Sequence, residues 1–237
     1  MKTRRLKRIR NRVFLSIMLV ALGLGIFKGY GIIVATGVTP LQTLNTEELQ
    51  LPDDFNTDWN LILVNRNNFI PSDYKVELID LSNGHQVDAR IYPSLQQMFD
   101  DARTQGVYPT VVSGYRTEEK QRQLMDEKIK AYEMEGNSKE EAAKLAEGWV
   151  AIPGTSEHQL GLAVDINADK VNSTNEQVYE WFSKNAHKYG FILRYPMEKT
   201  EITGIDYEPW HYRYVGDDAA KEMYEKGICL EEYLENE

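Results

Sequence analysis

Hydrophobic and polar positions divide the chain into a short apolar N-terminal segment and a long region of mixed pattern. Residues 13–38 carry a single charge, Lys28, whereas residues 39–58 are polar, contain two prolines and show no sustained periodicity. From Trp59 onward, apolar residues recur at helical spacing in some segments and in short β-like runs in others. The pattern predicts one folded domain over residues 59–237, joined to the apolar segment by a linker.

Capping signals and apolar runs predict four helices and four strands in the folded domain. The predicted helices run from Ser94 to Gly106, from Thr117 to Gly136, from Ser138 to Gly148, and from about Glu176 to Gly190. The β-like runs are Leu61 to Val64, Val107 to Val112, Leu162 to Ile166, and Tyr212 to Val215. Because helices and strands are mixed without strict alternation, the predicted fold class is α+β.

The apolar segment has the length and the flanking charge of a membrane anchor. Its 26 residues, 13–38, exceed the roughly 20 needed to cross a bilayer, while the 15 that precede Lys28 would suit a signal peptide. Residues 34–36 match a small-x-small cleavage site poorly, which favours an uncleaved anchor. The basic residues of segment 1–12 predict a cytoplasmic N-terminus and an exported domain. These basic residues are Lys2, Arg4, Arg5, Lys7, Arg8, Arg10 and Arg12.

The charge beyond residue 12 and the cysteine content argue against nucleic-acid binding and against cysteine-based chemistry. The formal net charge is -10, and beyond residue 12 the chain has 20 basic against 37 acidic residues. A domain with this excess of acidic residues repels a phosphate backbone, and the sequence after residue 12 has no basic stripe interleaved with aromatic residues. Nucleic acid is therefore not an expected partner. Cys229, the only cysteine, can form neither an intramolecular disulfide nor a cysteine metal pair.

The segment S-E-H-Q-L-G-L-A-V-D at residues 156–165 suggests a metal site. His158 and Asp165 are too far apart for one helix face, but they fit a loop that turns at Gly161 and enters a strand. A carboxylate in an otherwise apolar strand needs a partner, and a metal ion can be that partner. Together with His211, the two residues offer N, O and N ligands, which suits zinc with one position left open.

The segment E-P-W-H places Glu208 three residues before His211. Pro209 predicts a local bend, which can bring the Glu208 carboxylate close to the metal. A glutamate that is not itself a ligand, beside a three-ligand zinc, is the proton acceptor that hydrolysis requires. Each residue alone has an ordinary structural explanation, so the hypothesis depends on the joint occurrence of the segments and their order.

These segments and S-G-Y-R-T at residues 113–117 resemble, in this order, the VanY-type D-alanyl-D-alanine carboxypeptidases over roughly residues 60–228. The resemblance implies the hedgehog/DD-peptidase fold, in which a small, mainly antiparallel sheet is flanked by helices. It implies peptidoglycan stem peptides as substrates, with no obligate protein partner evident. It also implies one zinc on His158, Asp165 and His211, Glu208 as general base, Arg116 at the substrate's oxygen charge, and Gln121 and Ser156 in the substrate cleft.

Other functions are compatible with parts of the sequence. Ser72 and Lys75 fit the S-x-x-K string of serine carboxypeptidases, but the supporting S-D-N and K-T-G strings are absent from the sequence. A non-catalytic zinc-containing binding module, similar to hedgehog signalling domains, is disfavoured by the intact Glu208. L,D-carboxypeptidase and D,D-dipeptidase activities stay open, because such relatives share the zinc triad and differ in the cleft.

Overall fold

The structure is a computed structural model that describes residues 59–235 of the chain. The predicted cytoplasmic segment 1–12, the predicted anchor 13–38 and the predicted linker 39–58 therefore lie outside the described residues. Among the helices of residues 59–235, none is long and apolar enough to cross a bilayer.

Two antiparallel sheets form the β-structure of the described region. The strands are β1 (Leu78–Asp80), β2 (Gln86–Asp88), β3 (Pro109–Ser113), β4 (Ala163–Ala168), β5 (Phe191–Leu193) and β6 (His211–Tyr214). β1 and β2 pair with each other, and the remaining strands form a four-stranded sheet in the order β3-β4-β6-β5. Every pair of neighbours in both sheets is antiparallel. The predicted α+β class with a small antiparallel sheet is confirmed.

Helices are interspersed between the strands. They are α1 (Tyr92–Thr104), α2 (Glu118–Met134), α3 (Lys139–Ala146), α4 (Asn175–Asn185), α5 (Thr200–Thr203), α6 (Asp217–Lys226) and α7 (Leu230–Glu235). The predicted N-terminus of α2 is confirmed, because the Thr117 hydroxyl accepts a hydrogen bond from the Lys120 amide at 3.2 Å. At α3 the predicted capping box is also confirmed, with Ser138 and Glu141 bonding each other's backbone.

Two predicted boundaries are wrong for identifiable reasons. α1 begins at Tyr92 rather than at Ser94, because Pro93 in the first turn has a backbone angle that suits a helix start. The fourth predicted helix ends at Asn185, and its last predicted turn is a 3-10 helix, Ala186–Tyr189, that closes on Gly190. The predicted buried face of α1 is confirmed, with Leu95, Met98, Phe99 and Ala102 all buried.

The predicted strand Leu61 to Val64 does not form. The Arg213 guanidinium instead donates hydrogen bonds from Nη2 to the carbonyl oxygens of Asn60 and Ile62, at 3.0 and 2.9 Å. A buried side chain thus satisfies backbone groups that a neighbouring strand would otherwise have to satisfy. The segment keeps an apolar pattern because Val64 is buried in the main core.

The main hydrophobic core lies against one face of the four-stranded sheet. Leu162, Val164 and Ile166 contribute to this core together with Phe99 of α1 and Phe182 of α4. Successive side chains of a strand point to opposite faces, so Asp165 points away from this core, as its position in the sequence predicts. The core therefore fixes the sheet on one face and leaves the other face for polar chemistry.

Candidate metal centre

Two neighbouring strands and the turn before one of them bring three potential metal ligands together. Asp165 of β4 and His211 of β6 are directly opposite each other in the antiparallel register. His158 lies in a 3-10 turn that ends at Gly161, whose φ is 74°. A Cβ at Gly161 would lie 3.0 Å from the Asp88 amide nitrogen, so both the backbone angle and the space require glycine. The turn predicted at Gly161 is confirmed.

The spacing of the three donor atoms fits a zinc-sized ion. Asp165 Oδ1 lies 3.4 Å from His158 Nε2 and 3.2 Å from His211 Nδ1. All three ligand atoms lie within 4.8 Å of one another. Two ligands that each lie about 2.0–2.1 Å from a tetrahedral ion are separated by about 3.3 Å. The chemistry of the donor set and its distances therefore match a site with three protein ligands and one open position.

Each histidine ring has a hydrogen-bond partner on the nitrogen that faces away from Asp165. His158 Nδ1 lies 2.8 Å from the carbonyl oxygen of Gly114. A Cβ at Gly114 would lie 2.2 Å from the Gln86 carbonyl oxygen, so glycine is required where these backbones meet. His211 Nε2 lies 3.3 Å from Oε2 of Glu157. Such outer partners orient ligating imidazoles and fix which nitrogen carries the proton.

Arg116 and Gln121 are linked to the third ligand. Arg116 Nη2 donates a hydrogen bond to Asp165 Oδ2 at 2.6 Å, and its Nε donates to Ser113 Oγ at 2.8 Å. Arg116 lies between β3 and α2, as the sequence predicts. Gln121 is buried, accepts a 3.4 Å hydrogen bond from Arg116 Nη1 and donates to the Ala151 carbonyl at 2.8 Å. Arg116 thus leaves Asp165 Oδ1 to face the histidines.

Glu208 lies beside the ligands at the bend that the sequence predicts. The His211 amide donates a hydrogen bond to the Glu208 carbonyl at 3.1 Å, which forms a tight turn through Pro209. This turn places Glu208 Oε2 3.6 Å from His211 Nδ1. Burial, together with the negative charge of Asp165, raises the pKa of the Glu208 carboxyl to about 7. A carboxyl group with such a pKa can both accept and return a proton near neutrality.

The two histidines have opposite electrostatic environments. Burial and the Arg116 charge lower the pKa of His158 to about 4. Burial also acts to lower the pKa of His211, but its hydrogen bonds to Asp165 and Glu157 outweigh that effect and raise the pKa to about 9. A carboxylate oxygen near each ring nitrogen therefore favours positive charge at His211.

The ligands lie in the wall of a cavity of about 450 Å³. Leu124 of α2, Trp149, Ile205 and Trp210 add an apolar part to its lining. All the site residues predicted from the sequence also line the cavity, namely Arg116, Gln121, Ser156, His158, Asp165, Glu208 and His211.

The residues of the competing serine hypothesis lie elsewhere. Ser72 and Lys75 are exposed on the surface, and neither lines the cavity. A nucleophilic serine would need a buried or cleft-lining position beside its base. The geometry therefore does not support a serine enzyme.

Sequence reasoning missed one residue of the site, Glu157. Its carboxylate is fully buried and contacts Arg194, Arg213 and His211. Burial alone would raise the pKa of Glu157, but the charges of Arg194 and Arg213 hold it well below its usual range. The available signal was a glutamate next to His158 in a turn that leads into an apolar strand, where an unpaired charge would be costly.

An α+β domain with two histidines and one carboxylate on a cavity, and a further carboxylate beside them, defines a metallohydrolase class of site. The sequence model of the family described as VanY, D-alanyl-D-alanine carboxypeptidase, matches residues 84–217. The chain belongs to this family, and the resemblance seen in the sequence is confirmed.

Individual relatives agree with the family match. A D-alanyl-D-alanine carboxypeptidase of Enterococcus faecalis is 56% identical over 202 residues, which are 85% of this chain and 75% of the relative. The structure of VanYB in complex with D-alanine-D-alanine is 60% identical, with a TM-score of 0.75 over 76% of this chain and 99% of that chain. A mutant of a VanY D,D-pentapeptidase from a VanB-type resistance cassette, in complex with Zn(II), is 61% identical, with a TM-score of 0.73 over 74% of this chain and 99% of that chain.

The ligand set leads to a test of metal content. The full chain, purified in detergent, should hold about one zinc ion, and His158→Ala, Asp165→Ala and His211→Ala should each lose it, because two ligands bind zinc far more weakly than three. Elemental analysis of the purified chains measures this. His85→Ala, at a position outside the cavity, is the control and should keep its zinc. A parent chain without zinc, or full zinc in all three ligand variants, would contradict the assignment.

Proposed function

We propose that the chain is a zinc D-alanyl-D-alanine carboxypeptidase, which removes the C-terminal D-alanine from peptidoglycan stem peptides. The observation that carries the proposal is the position of Glu208, whose buried carboxylate lies 3.6 Å from the ligand nitrogen of His211 and lines the cavity. A binding module would not need a proton acceptor at this position. Membership of the VanY family supports the choice of substrate.

The proposed reaction is hydrolysis of the terminal peptide bond. A zinc ion held by His158, Asp165 and His211 would supply Lewis acidity to the scissile carbonyl and lower the pKa of water at its open position. Glu208 accepts a proton from the attacking water as the new C–O bond forms. When the C–N bond breaks, Glu208 returns that proton to the departing D-alanine amine.

Arg116 is the proposed stabiliser of the charge that develops on the carbonyl oxygen. Its guanidinium lines the cavity and is held in place by Asp165 and Ser113. A cation that is already oriented stabilises a developing oxyanion without reorganisation during the reaction. Through its hydrogen bond to Asp165, Arg116 also orients one of the zinc ligands.

The remainder of the cavity suits a short peptide with small side chains. Ser156 and Gln121 offer polar atoms at the wall, and we assign them to substrate binding. The apolar lining from Leu124, Trp149 and Ile205 matches the methyl groups of alanine residues. L,D-carboxypeptidase and D,D-dipeptidase activities would use the same ligands, and they differ from our proposal in the peptide bond that is cut.

We also propose that residues 13–38 anchor the chain in the cell membrane as a single-pass segment, with the catalytic domain outside the cytoplasm. Support comes from the apolar run and from the basic residues that precede it. A tether of residues 39–58 would keep the domain near the wall polymer.

The anchor leads to a test of topology. Alkaline phosphatase fused after the last residue should be active, because it folds only outside the cytoplasm, and the fusion should stay in the membrane fraction in high salt. A β-galactosidase fusion at the same position is the control and should be inactive. Release of a shortened soluble chain would show instead that the apolar segment is cleaved.

The proton carrier leads to a test of function. The parent chain, incubated with tri-, tetra- and pentapeptide stems, should release D-alanine from the pentapeptide, as mass spectrometry of the products shows. Glu208→Gln keeps the size but cannot accept the proton, so kcat should fall by about 10²- to 10⁴-fold, or roughly 3 to 5 kcal/mol, with zinc retained.

The exposed Glu201 offers a matched control for Glu208. Glu201→Gln should cleave the pentapeptide at the parental rate. Release of a dipeptide would indicate D,D-dipeptidase activity instead. Cleavage of the tetrapeptide instead of the pentapeptide would indicate L,D-carboxypeptidase activity. A Glu208→Gln chain as fast as the parent would place the base elsewhere.

Arg116 leads to a test that separates its charge from its shape. Arg116→Lys keeps the charge but loses the planar fork that reaches Asp165 and the cavity together, so kcat/KM on the pentapeptide should fall by at least about tenfold. Elemental analysis should still find zinc. Arg122→Lys, at an exposed position on α2, is the control and should be unchanged. Unaltered kcat/KM in Arg116→Lys would remove this residue from the site.

A further inference from the structure

A cluster of buried charges lies behind His211, on the side away from Asp165. The cluster consists of Glu157, Arg194, Arg213 and Glu231, and we call it the Glu157 cluster. The side chains of Glu157, Arg194 and Arg213 are 0% exposed, and that of Glu231 is 9% exposed. Burying an ion costs several kcal/mol unless its partners compensate, so such a cluster is weak support for stability and calls for another explanation.

The contacts within the cluster leave one carboxylate oxygen for His211. Glu157 Oε1 accepts a hydrogen bond from Arg194 Nε at 2.7 Å and lies 3.0 Å from Arg213 Nη1. Arg194 also donates to both oxygens of Glu231, at 2.7 and 2.8 Å. Two cations and two anions are thus balanced. The other oxygen of Glu157, Oε2, lies 3.3 Å from His211 Nε2.

The cluster is tied to both segments that carry histidine ligands. Glu157 directly precedes His158 in the chain, and Arg213 lies two residues after His211 on β6. Because strand residues two apart share a face, Arg213 lies on the same side of the sheet as His211. Arg213 is itself held by its hydrogen bonds to backbone carbonyls, which include those of Asn60 and Ile62. Glu157 therefore has little freedom to move.

We propose that Glu157 is a positioning residue that fixes the ring orientation and the tautomer of His211, so that His211 binds zinc through Nδ1. The proposal rests on the zinc site proposed above. Glu157, beside two guanidinium groups, is an anion and can only accept a hydrogen bond. When His211 is neutral, as a metal ligand must be, it then carries its proton on Nε2, which leaves the lone pair of Nδ1 directed at the ligand group.

The other histidine ligand has the reverse arrangement. The Gly114 carbonyl can only accept, so His158 carries its proton on Nδ1 and offers Nε2 as the ligand atom. The two histidines therefore use different nitrogens, and each choice is set by one acceptor. A backbone carbonyl is fixed by the fold, whereas Glu157 is a side chain that a substitution can change.

Glu157→Gln tests the proposal because the amide should reverse the tautomer of His211. Both arginines are donors directed at Oε1, so the amide oxygen should take that position and the NH₂ group should replace Oε2. That NH₂ donates to His211 Nε2 and drives the proton onto Nδ1, the ligand atom. Zinc affinity, measured by competition with a chelator on the full chain in detergent, should fall by about 10- to 100-fold.

Glu231→Gln is the matched control, because it removes a carboxylate from the same cluster without touching His211. Both substitutions should lower Tm, but only Glu157→Gln should weaken zinc binding. An equal loss of zinc affinity in both variants, or no loss in either, would overturn the positioning role and leave the cluster with a structural one.

A measurement on the parent chain decides the question even if Glu157→Gln does not fold. The chain has 4 histidines, so ¹⁵N-labelled histidine gives few signals, and His85→Gln, His158→Gln and His187→Gln identify all but that of His211. In the zinc-free parent, at a pH where its ring is neutral, His211 should already carry its proton on Nε2. A proton on Nδ1 would overturn the positioning role, whereas a parent chain that binds no zinc would overturn the zinc site itself.

Discussion

The antiparallel register between β4 and β6 is the constraint on which the site depends. It places Asp165 directly opposite His211, and on the other face it places Val164 opposite Tyr212 in the core. A slip of one residue would turn every side chain of a strand to the other face. The apolar side chains of β4 therefore hold the register, because a slip of one residue would bury Asp165 in the core. Hydrophobic burial and ligand geometry are fixed by the same pairing.

Local signals in the sequence predicted the parts of the fold that depend on neighbouring residues. The caps at Thr117 and Ser138, the turn at Gly161 and the bend at Pro209 each involve residues a few positions apart, and each is confirmed. The three candidate ligands lie together as expected, because motif order and strand alternation agree on the face that Asp165 occupies. The roles of Arg116, Gln121 and Ser156 towards substrate stay predictions.

What the sequence could not predict depends on long-range partners. The segment Leu61 to Val64 has the apolar pattern of a strand but does not form one. Arg213, about 150 positions away, donates hydrogen bonds to the carbonyl oxygens of Asn60 and Ile62. The Glu157 cluster is hidden for the same reason, because Glu157, Arg194 and Glu231 are far apart in the chain. Buried ion pairs have no periodicity of their own, so only the folded chain reveals which charges meet.

The wall formed by α2 and Trp149 has a consequence for how such a protein can diversify. Leu124 and Lys128 of α2 line the cavity, and α3 packs against α2. None of the three metal ligands lies on either helix. Substitutions on this helical pair can therefore reshape the space offered to a peptide while the metal-binding sheet keeps its register. The metal-binding residues and the cavity wall thus belong to different parts of the domain. The wall can change while the metal site is kept, so one fold can serve peptides of several lengths.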